Sequence, residues 1–316
     1  MHRFALGLAV LGMVAVGTGS GAAEAPTPPL VTAGCGTELP SAEAAQAAVA
    51  GLGLDLVRVA QTLVAAPPDA STLEAGAALP ITQETLGACT GAIQPGVQVV
   101  IDNAFLCTLN WIFQDQLGAY YVGTAGHCVG GCGAALHPQL FRVDGVASDI
   151  GDAAYATGNC GVGNDFALIR IDPAYYGKID PALCHFGGAQ GVWTAGGNQV
   201  LMHYGWGTVW GAAEPTRHRM GVLDGSTWSA GSFEFLGMVG PGDSGSPIMV
   251  WDPASGNGYA VGVVTHTLAL PLATGLVGPQ FASRLDKHLD QANAATSLGL
   301  VLVTSPTQPN PAGDGL

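Results

Sequence analysis

The sequence predicts an all-β protein of short antiparallel strands closed into barrels or sandwiches. Two observations carry this. From Val97 onward, eleven or twelve short apolar segments alternate with glycine turns, and no regular helix separates them. A parallel sheet would need crossover helices, so the strands pair antiparallel. The 48 glycines with only 7% aromatic residues also fit many turns better than a helix bundle.

The expected strands are Val97 to Asp102, Phe105 to Phe113, Tyr120 to Thr124, Leu140 to Val143 and Phe166 to Ile171. They continue with Val192 to Ala195, Gln199 to Tyr204, Gly207 to Trp210, Met220 to Leu223, Ser232 to Phe235, Pro247 to Val250 and Ala260 to Thr265. Each is a short apolar or β-branched run bounded by turn residues. Phe281, Leu285, Leu289 and Ala292 recur as one face of a terminal helix. The tail from 305 to 316 is rich in Pro, Gly and Asn and is expected to be disordered.

The N-terminal region has a different texture. Residues 1–23 read as an export signal: His2 and Arg3, an apolar run from Phe4 to Val16, then small residues. That run is shorter than the roughly 20 residues needed to cross a bilayer, which argues against a membrane anchor. Residues 24–92 open with a Pro-rich spacer. Ala44, Ala48, Leu52, Leu56, Val59 and Leu63 then recur at helical spacing until Pro67-Pro68. This unit reads as a helical prosegment or a retained N-terminal cap.

The formal charge is −14, from nine basic and 23 acidic residues. Nucleic acid or anionic lipid would need clustered Lys and Arg, so neither is an expected partner. The densest basic patch, Arg217, His218 and Arg219, reads as a solvated loop. Seven cysteines fit disulfides in an oxidising compartment. Cys128 and Cys132 lack a second close pair to complete a zinc site. No metal and no cofactor is expected. Trp193, Trp206, Trp210 and Trp228 read as packing within and between the barrels.

Three segments carry chemistry. In Gly242-Asp243-Ser244-Gly245-Ser246-Pro247, small residues leave one serine hydroxyl exposed. The N–H groups of Gly242 and Ser244 can aim at a developing oxyanion, an interaction worth ~3–4 kcal/mol per donor. Thr124-Ala125-Gly126-His127-Cys128 follows a strand and supplies the base that a serine nucleophile needs. Cys107, in the strand just upstream, is the natural disulfide partner of Cys128. In Gly163-Asn164-Asp165-Phe166, Asp165 can reach into the core and hold one imidazole N–H.

Together these segments resemble the chymotrypsin-fold (trypsin-like) serine peptidases, especially secreted bacterial members. The order His, Asp, Ser matches, and the resemblance spans roughly residues 95–292. It implies two packed six-stranded antiparallel β-barrels, 93–185 with His127 and Asp165 and 186–304 with Ser244 and the terminal helix. It makes His127 the general base, Asp165 its orienter and Ser244 the nucleophile of a secreted endopeptidase acting on polypeptides. It also implies an oxyanion hole at the N–H groups of Gly242 and Ser244. A noncatalytic binding protein of the same fold is the alternative. An esterase elbow fits poorly, because Ser246 stands where that motif wants glycine and His127 comes before the serine.

The chain departs from the animal members. It has no Ile-Val-Gly-Gly start near Ile93 and no Cys beside Ser244. Asp243 therefore needs another partner, an Arg or some other hydrogen-bonding group. By the same resemblance the primary pocket draws on Met238, Thr265, His266 and Thr267, and the Thr-His-Thr string is similar to glutamyl endopeptidases. Cys132 with Cys160, Cys160 with Cys184, and Cys35 with Cys89 stay open as further pairs. The sequence leaves the oligomeric state undetermined.

Overall fold

A computed structural model describes residues 93–305, except 104, 131–135, 137–138, 144–145, 158, 198, 208–216, 268–270 and 273–274, together with Val31–Thr32 and Pro309. The expected signal, the 41–64 helix, Cys35, Cys89, Cys132, Trp210 and nearly all of the tail lie outside the described residues.

In chain order the strands begin with β1 (Val31–Thr32), β2 (Gln98–Ile101), β3 (Phe105–Thr108), β4 (Ile112–Gln114) and β5 (Tyr120–Thr124). Next come β6 (Phe141–Val143), β7 (Val146–Asp149), β8 (Gly151–Ala156), β9 (Ala167–Ile171), β10 (Ala182–Leu183) and β11 (Gly187–Val192). The second half holds β12 (Gln199–Tyr204), β13 (His218–Leu223), β14 (Ser232–Met238), β15 (Pro247–Asp252), β16 (Asn257–Thr267), β17 (Pro271–Leu272) and β18 (Gly275–Arg284). Helix α1 (Leu285–Thr296) and β19 (Val301–Leu302) follow.

The first half closes on itself. β2 pairs β3 and β6, β4 pairs β5, β5 pairs β9, β9 pairs β8, and β7 pairs β6, all antiparallel. Only Leu109–Trp111 separate β3 from β4, and only Ile150 separates β7 from β8. Counting each of those as one bent strand, the ring has six members. Ile101, Leu109, Phe113, Val122, Phe141, Phe166 and Ile169 are buried inside it.

The second half is also a ring of six, in the order β12, β13, β14, β18, β16, β15 and back to β12. Its core is built on Leu201, Leu223, Phe233, Phe235, Ile248, Val250, Val261 and Val264. Closure removes the exposed edges that an open sheet of this length would leave. The two-barrel, all-β architecture implied by the three motifs is thus present.

Local differences have local causes. Phe105 to Phe113 is two strands rather than one, because the chain bends across Leu109–Trp111 to serve both sides of the ring. Of the expected strand Val192 to Ala195 only Val192 is in a strand, as the last residue of β11, which lies parallel to β16; Trp193 to Ala195 have no regular structure. Phe281 belongs to β18 and not to the helix, which starts at Leu285. β8 and β18 carry Ala, Gly and Pro where strand propensity favours β-branched residues, and pairing with β9 for β8, and with β14 and β16 for β18, overrides that preference.

Helix α1 packs on the first barrel through His288, which stacks on Phe166 with ring centroids 5.3 Å apart. Its Nδ1 faces Gln291 Oε1 at 3.0 Å. Burial pushes the His288 pKa down to about 4, only partly offset by Gln291, Asp165 and Asp286. A free histidine titrates near ~6.5, so the unfolded chain takes up this proton first. Stability from this site is complete above that value and is lost as pH falls toward 4. By about pH 4.5 the loss is about 2 kcal/mol. Urea unfolding at neutral pH and at about pH 4.5 should give a stability difference about 2 kcal/mol smaller in His288→Leu than in the parent. The same difference in both proteins would refute this role.

Candidate active site

His127 sits on a short 3-10 turn, Gly126–Val129, directly after β5. Asp165 lies two residues before β9, the neighbour of β5. Adjacent strands therefore deliver the two side chains to one end of the first barrel. The Asp165 carboxylate is fully buried. Its Oδ1 accepts the His127 backbone N–H at 2.8 Å, and its Oδ2 lies 2.6 Å from His127 Nδ1. Gripped through both backbone and ring, the histidine loop cannot rotate away without stranding a buried charge. Thr157 steadies the next residue: its Oγ1 accepts from Phe166 N–H at 2.9 Å and donates to the Phe166 carbonyl at 3.2 Å. His127 Nε2, on the far side of the ring, has no hydrogen-bond partner among the described residues.

The Ser244 turn joins β14 to β15. It is anchored first inside its own barrel. The buried Asp243 carboxylate accepts Arg219 Nη1 at 2.7 Å and Nη2 at 2.6 Å, and the N–H groups of Gly207 at 2.7 Å and Gly240 at 2.8 Å. A bidentate arginine with two amides satisfies a buried carboxylate well. A Cβ on Gly207 would stand 2.3 Å from Asp243 Oδ2, so only glycine fits there. Gly242 has φ +100°, which also favours glycine and orients the peptide preceding the aspartate.

The first barrel then holds the same turn from the other side. Thr108 N–H donates to the Ser244 carbonyl at 2.8 Å and Thr108 Oγ1 to the Gly242 carbonyl at 2.9 Å. Asn110 Nδ2 donates to the Gly245 carbonyl at 3.2 Å. Cys128, next to His127, has its Sγ 3.9 Å from the Ser244 carbonyl oxygen. The serine turn is therefore packed against the histidine turn at the junction of the barrels.

Cys107 and Cys128 form a disulfide across a separation of 21 residues, tying the histidine turn to β3. With those sulfurs joined, the grouping of Cys107, His127 and Cys128 offers no thiolate to a metal. Cys160 and Cys184 are also disulfide-bonded.

Among the pocket candidates, Met238 is half-buried and its carbonyl accepts Arg219 Nη1 at 3.1 Å. Thr265 is the extra residue of a bulge in β16, and its Oγ1 donates to the Phe281 carbonyl at 3.4 Å. Thr267 Oγ1 and His266 Nδ1 are buried without hydrogen-bond partners among the described residues. Burial lowers the His266 pKa. The Asp165 charge opposes this and the His127 charge adds to it, which puts His266 within electrostatic reach of the His–Asp pair.

Arg219 is the functional residue that sequence reading misplaced. It is not on a solvated loop but in β13, where it is 3% exposed. Its position one residue before the apolar run Met220 to Leu223 was the available sign. Arg217 of the same patch lies over the Trp206 ring, 3.3 Å from its centroid. Thr108 and Asn110 carried no motif at all. Trp228 stacks on Phe233, and Trp206 Nε1 donates to the Gly96 carbonyl at 3.0 Å, so both pack within the fold.

Two closed six-membered antiparallel barrels packed at these turns define a chymotrypsin-like two-barrel fold. No family model matches the chain, and no curated protein matches it. Solved structures similar to it include the Nocardiopsis protease, at 17% identity over 66% of this chain and 98% of that one, with a TM-score of 0.43. A thermostable serine protease from an extremophilic microorganism is 18% identical over 64% and 97%, with a TM-score of 0.42. The protease Anisep from Arthrobacter nicotinovorans is 16% identical over 65% and 98%, with a TM-score of 0.43.

Replacing Arg219 by Met keeps most of the stem volume but leaves the Asp243 carboxylate buried and unpaired. The expected destabilisation is ~3–5 kcal/mol in denaturant unfolding, with partial recovery in Arg219→Met/Asp243→Asn. A single variant as stable as the parent would contradict the anchoring role.

Proposed function

We propose that this protein is a secreted serine endopeptidase. Ser244 is the nucleophile, His127 the general base and Asp165 the residue that orients it. The observation that carries this reading is the state of His127. Its Nδ1 is committed to a buried carboxylate, its Nε2 has no partner among the described residues, and its turn is packed against the Ser244 turn.

Asp165 holds the proton on Nδ1, which leaves Nε2 as the basic nitrogen. Nε2 takes the Ser244 proton as Oγ attacks the peptide carbonyl. The oxyanion is held by the N–H groups of Gly242 and Ser244, whose orientation depends on the anchored Asp243 between them. His127 then protonates the leaving amine. Water, activated by the same nitrogen, releases the acyl group. The cycle uses no cofactor. Met238, Thr265, His266 and Thr267 belong to the primary pocket in this reading, with Thr265 turned toward the Phe281 carbonyl and the buried Thr267 hydroxyl free to meet a substrate group. The disulfides suit an oxidising compartment, in keeping with export.

A fluorophosphonate probe should label the purified protein at Ser244, and Ser244→Ala should abolish both labelling and peptide cleavage. Asp165→Asn should lower kcat on a peptide substrate by ~10⁴-fold while the protein stays folded. Labelling that survives in Ser244→Ala, or a folded protein that neither labels nor cleaves a peptide library, would overturn the reading in favour of a noncatalytic binding protein.

A further inference from the structure

We propose that the primary pocket selects an uncharged carboxamide side chain, glutamine or asparagine, and that Gln280 and Thr267 are the residues that read it. The inference rests on the peptidase reading above and adds its substrate class.

Three chain segments meet at the end of the second barrel that carries Ser244. β14 reaches this end at Gly237 and Met238, and the chain continues from there into the serine turn. β16 is level with that turn at Val264, whose carbonyl accepts the Gly245 N–H at 2.8 Å, and it ends at Thr267. β18 lies between them, with Gln280 directly opposite both Phe235 of β14 and Thr267 of β16. Residues directly opposite one another in a sheet share a face. Two residues along, Ala282 stands opposite Phe233 and Val264, and all three belong to the barrel core. Alternation therefore puts Gln280 and Thr267 on the same interior face, nearer the end where β16 stops.

Gln280 is fully buried, and its Nε2 donates to the Gly237 carbonyl at 3.2 Å. That bond holds the amide beside Met238. The Thr267 hydroxyl is buried with no hydrogen-bond partner among the described residues. A buried hydroxyl is rarely left unmatched, and here a substrate atom is the partner that completes it.

Charge decides what this pocket accepts. Residues 235–242 and 267–283 contain no Asp, Glu, Lys or Arg. Arg219 reaches the Met238 carbonyl, but its charge is matched by Asp243. His203 packs edge-on against Phe235, with ring centroids 6.0 Å apart. Burial and the Arg219 charge hold its pKa well below the ordinary value, with the Met238 backbone opposing them in part, so it stays neutral. His266 lies opposite Phe281 and so on the other face of β16 from Thr267. A lysine, arginine, glutamate or aspartate side chain would thus enter with its charge unpaired. An aliphatic side chain would leave the Thr267 hydroxyl stranded. A carboxamide brings both a donor and an acceptor to a hydroxyl and an amide.

The test measures kcat/KM on fluorogenic peptides that differ only in the residue before the scissile bond, per Ser244 titrated with fluorophosphonate. In the parent, glutamine should exceed methionine, its near match in size, and also glutamate and lysine, by ~100-fold or more. Gln280→Met and Thr267→Val should each shrink the glutamine-to-methionine ratio by ~10-fold or more, with fluorophosphonate labelling showing that each variant is folded. The parent's ranking tests the pocket without any variant. A labelled parent that cleaves best after a charged or an aliphatic residue would overturn the carboxamide pocket and leave the peptidase reading intact. An unchanged ratio in both labelled variants would overturn the roles of Gln280 and Thr267. A folded parent that neither labels nor cleaves would remove the peptidase reading, and this specificity with it.

Discussion

The Asp243 carboxylate takes four hydrogen bonds inside the second barrel, two from Arg219 and two from backbone amides. The geometry of the Ser244 turn depends on that anchor. A carboxylate with no exposure is costly to bury unless every lone pair is met. Once it is met, the flanking peptides of Gly242 and Ser244 have little freedom left. Gly205 and Gly207 permit the close approach of the second-barrel backbone to this centre. Arg219 also donates to the carbonyls of Gly205, Arg217 and Met238, so one guanidinium organises three strand ends around the turn.

The same logic, on a smaller scale, governs the first barrel. Asp165 is buried where β5 and β9 end together, and the His127 backbone and ring are the groups that satisfy it. Two buried carboxylates, one per barrel, therefore prepare two turns. Thr108 and Asn110 then fasten the turns to each other through backbone carbonyls. Such contacts make relative motion of the barrels costly, because each would expose or strand a polar group. Past Val263 the edge of β16 that β15 leaves runs directly into the serine turn.

Much of the β scaffold was readable because its strands are apolar runs closed off by turn residues. Tyr120–Thr124 and Gln199–Tyr204 lie where their patterns put them. β8, with Gly, Asp and three alanines, and β18, with two glycines and a proline, were invisible because they are strands by virtue of their neighbours. The histidine and aspartate turns were legible from short strings that follow or precede strong strands. Arg219 was not, since charge in a chain reads as solvated until something shows it buried. Its place beside the apolar run Met220 to Leu223 hints at a strand, but it does not point to a carboxylate partner 24 residues away.

By itself, the sequence determined the antiparallel β class, the small-residue environment of Ser244 and the chemical types available to it, since these depend on neighbours along the chain and on composition. Tertiary structure decided the closure of two rings of six, the pairing of Asp243 with Arg219, the hold of Thr108 and Asn110 on the serine turn, and the seating of Val31–Thr32 on β16. Each of these joins residues remote in sequence. Their energies come from desolvation and hydrogen-bond satisfaction, which exist only once the barrels have closed and water has left.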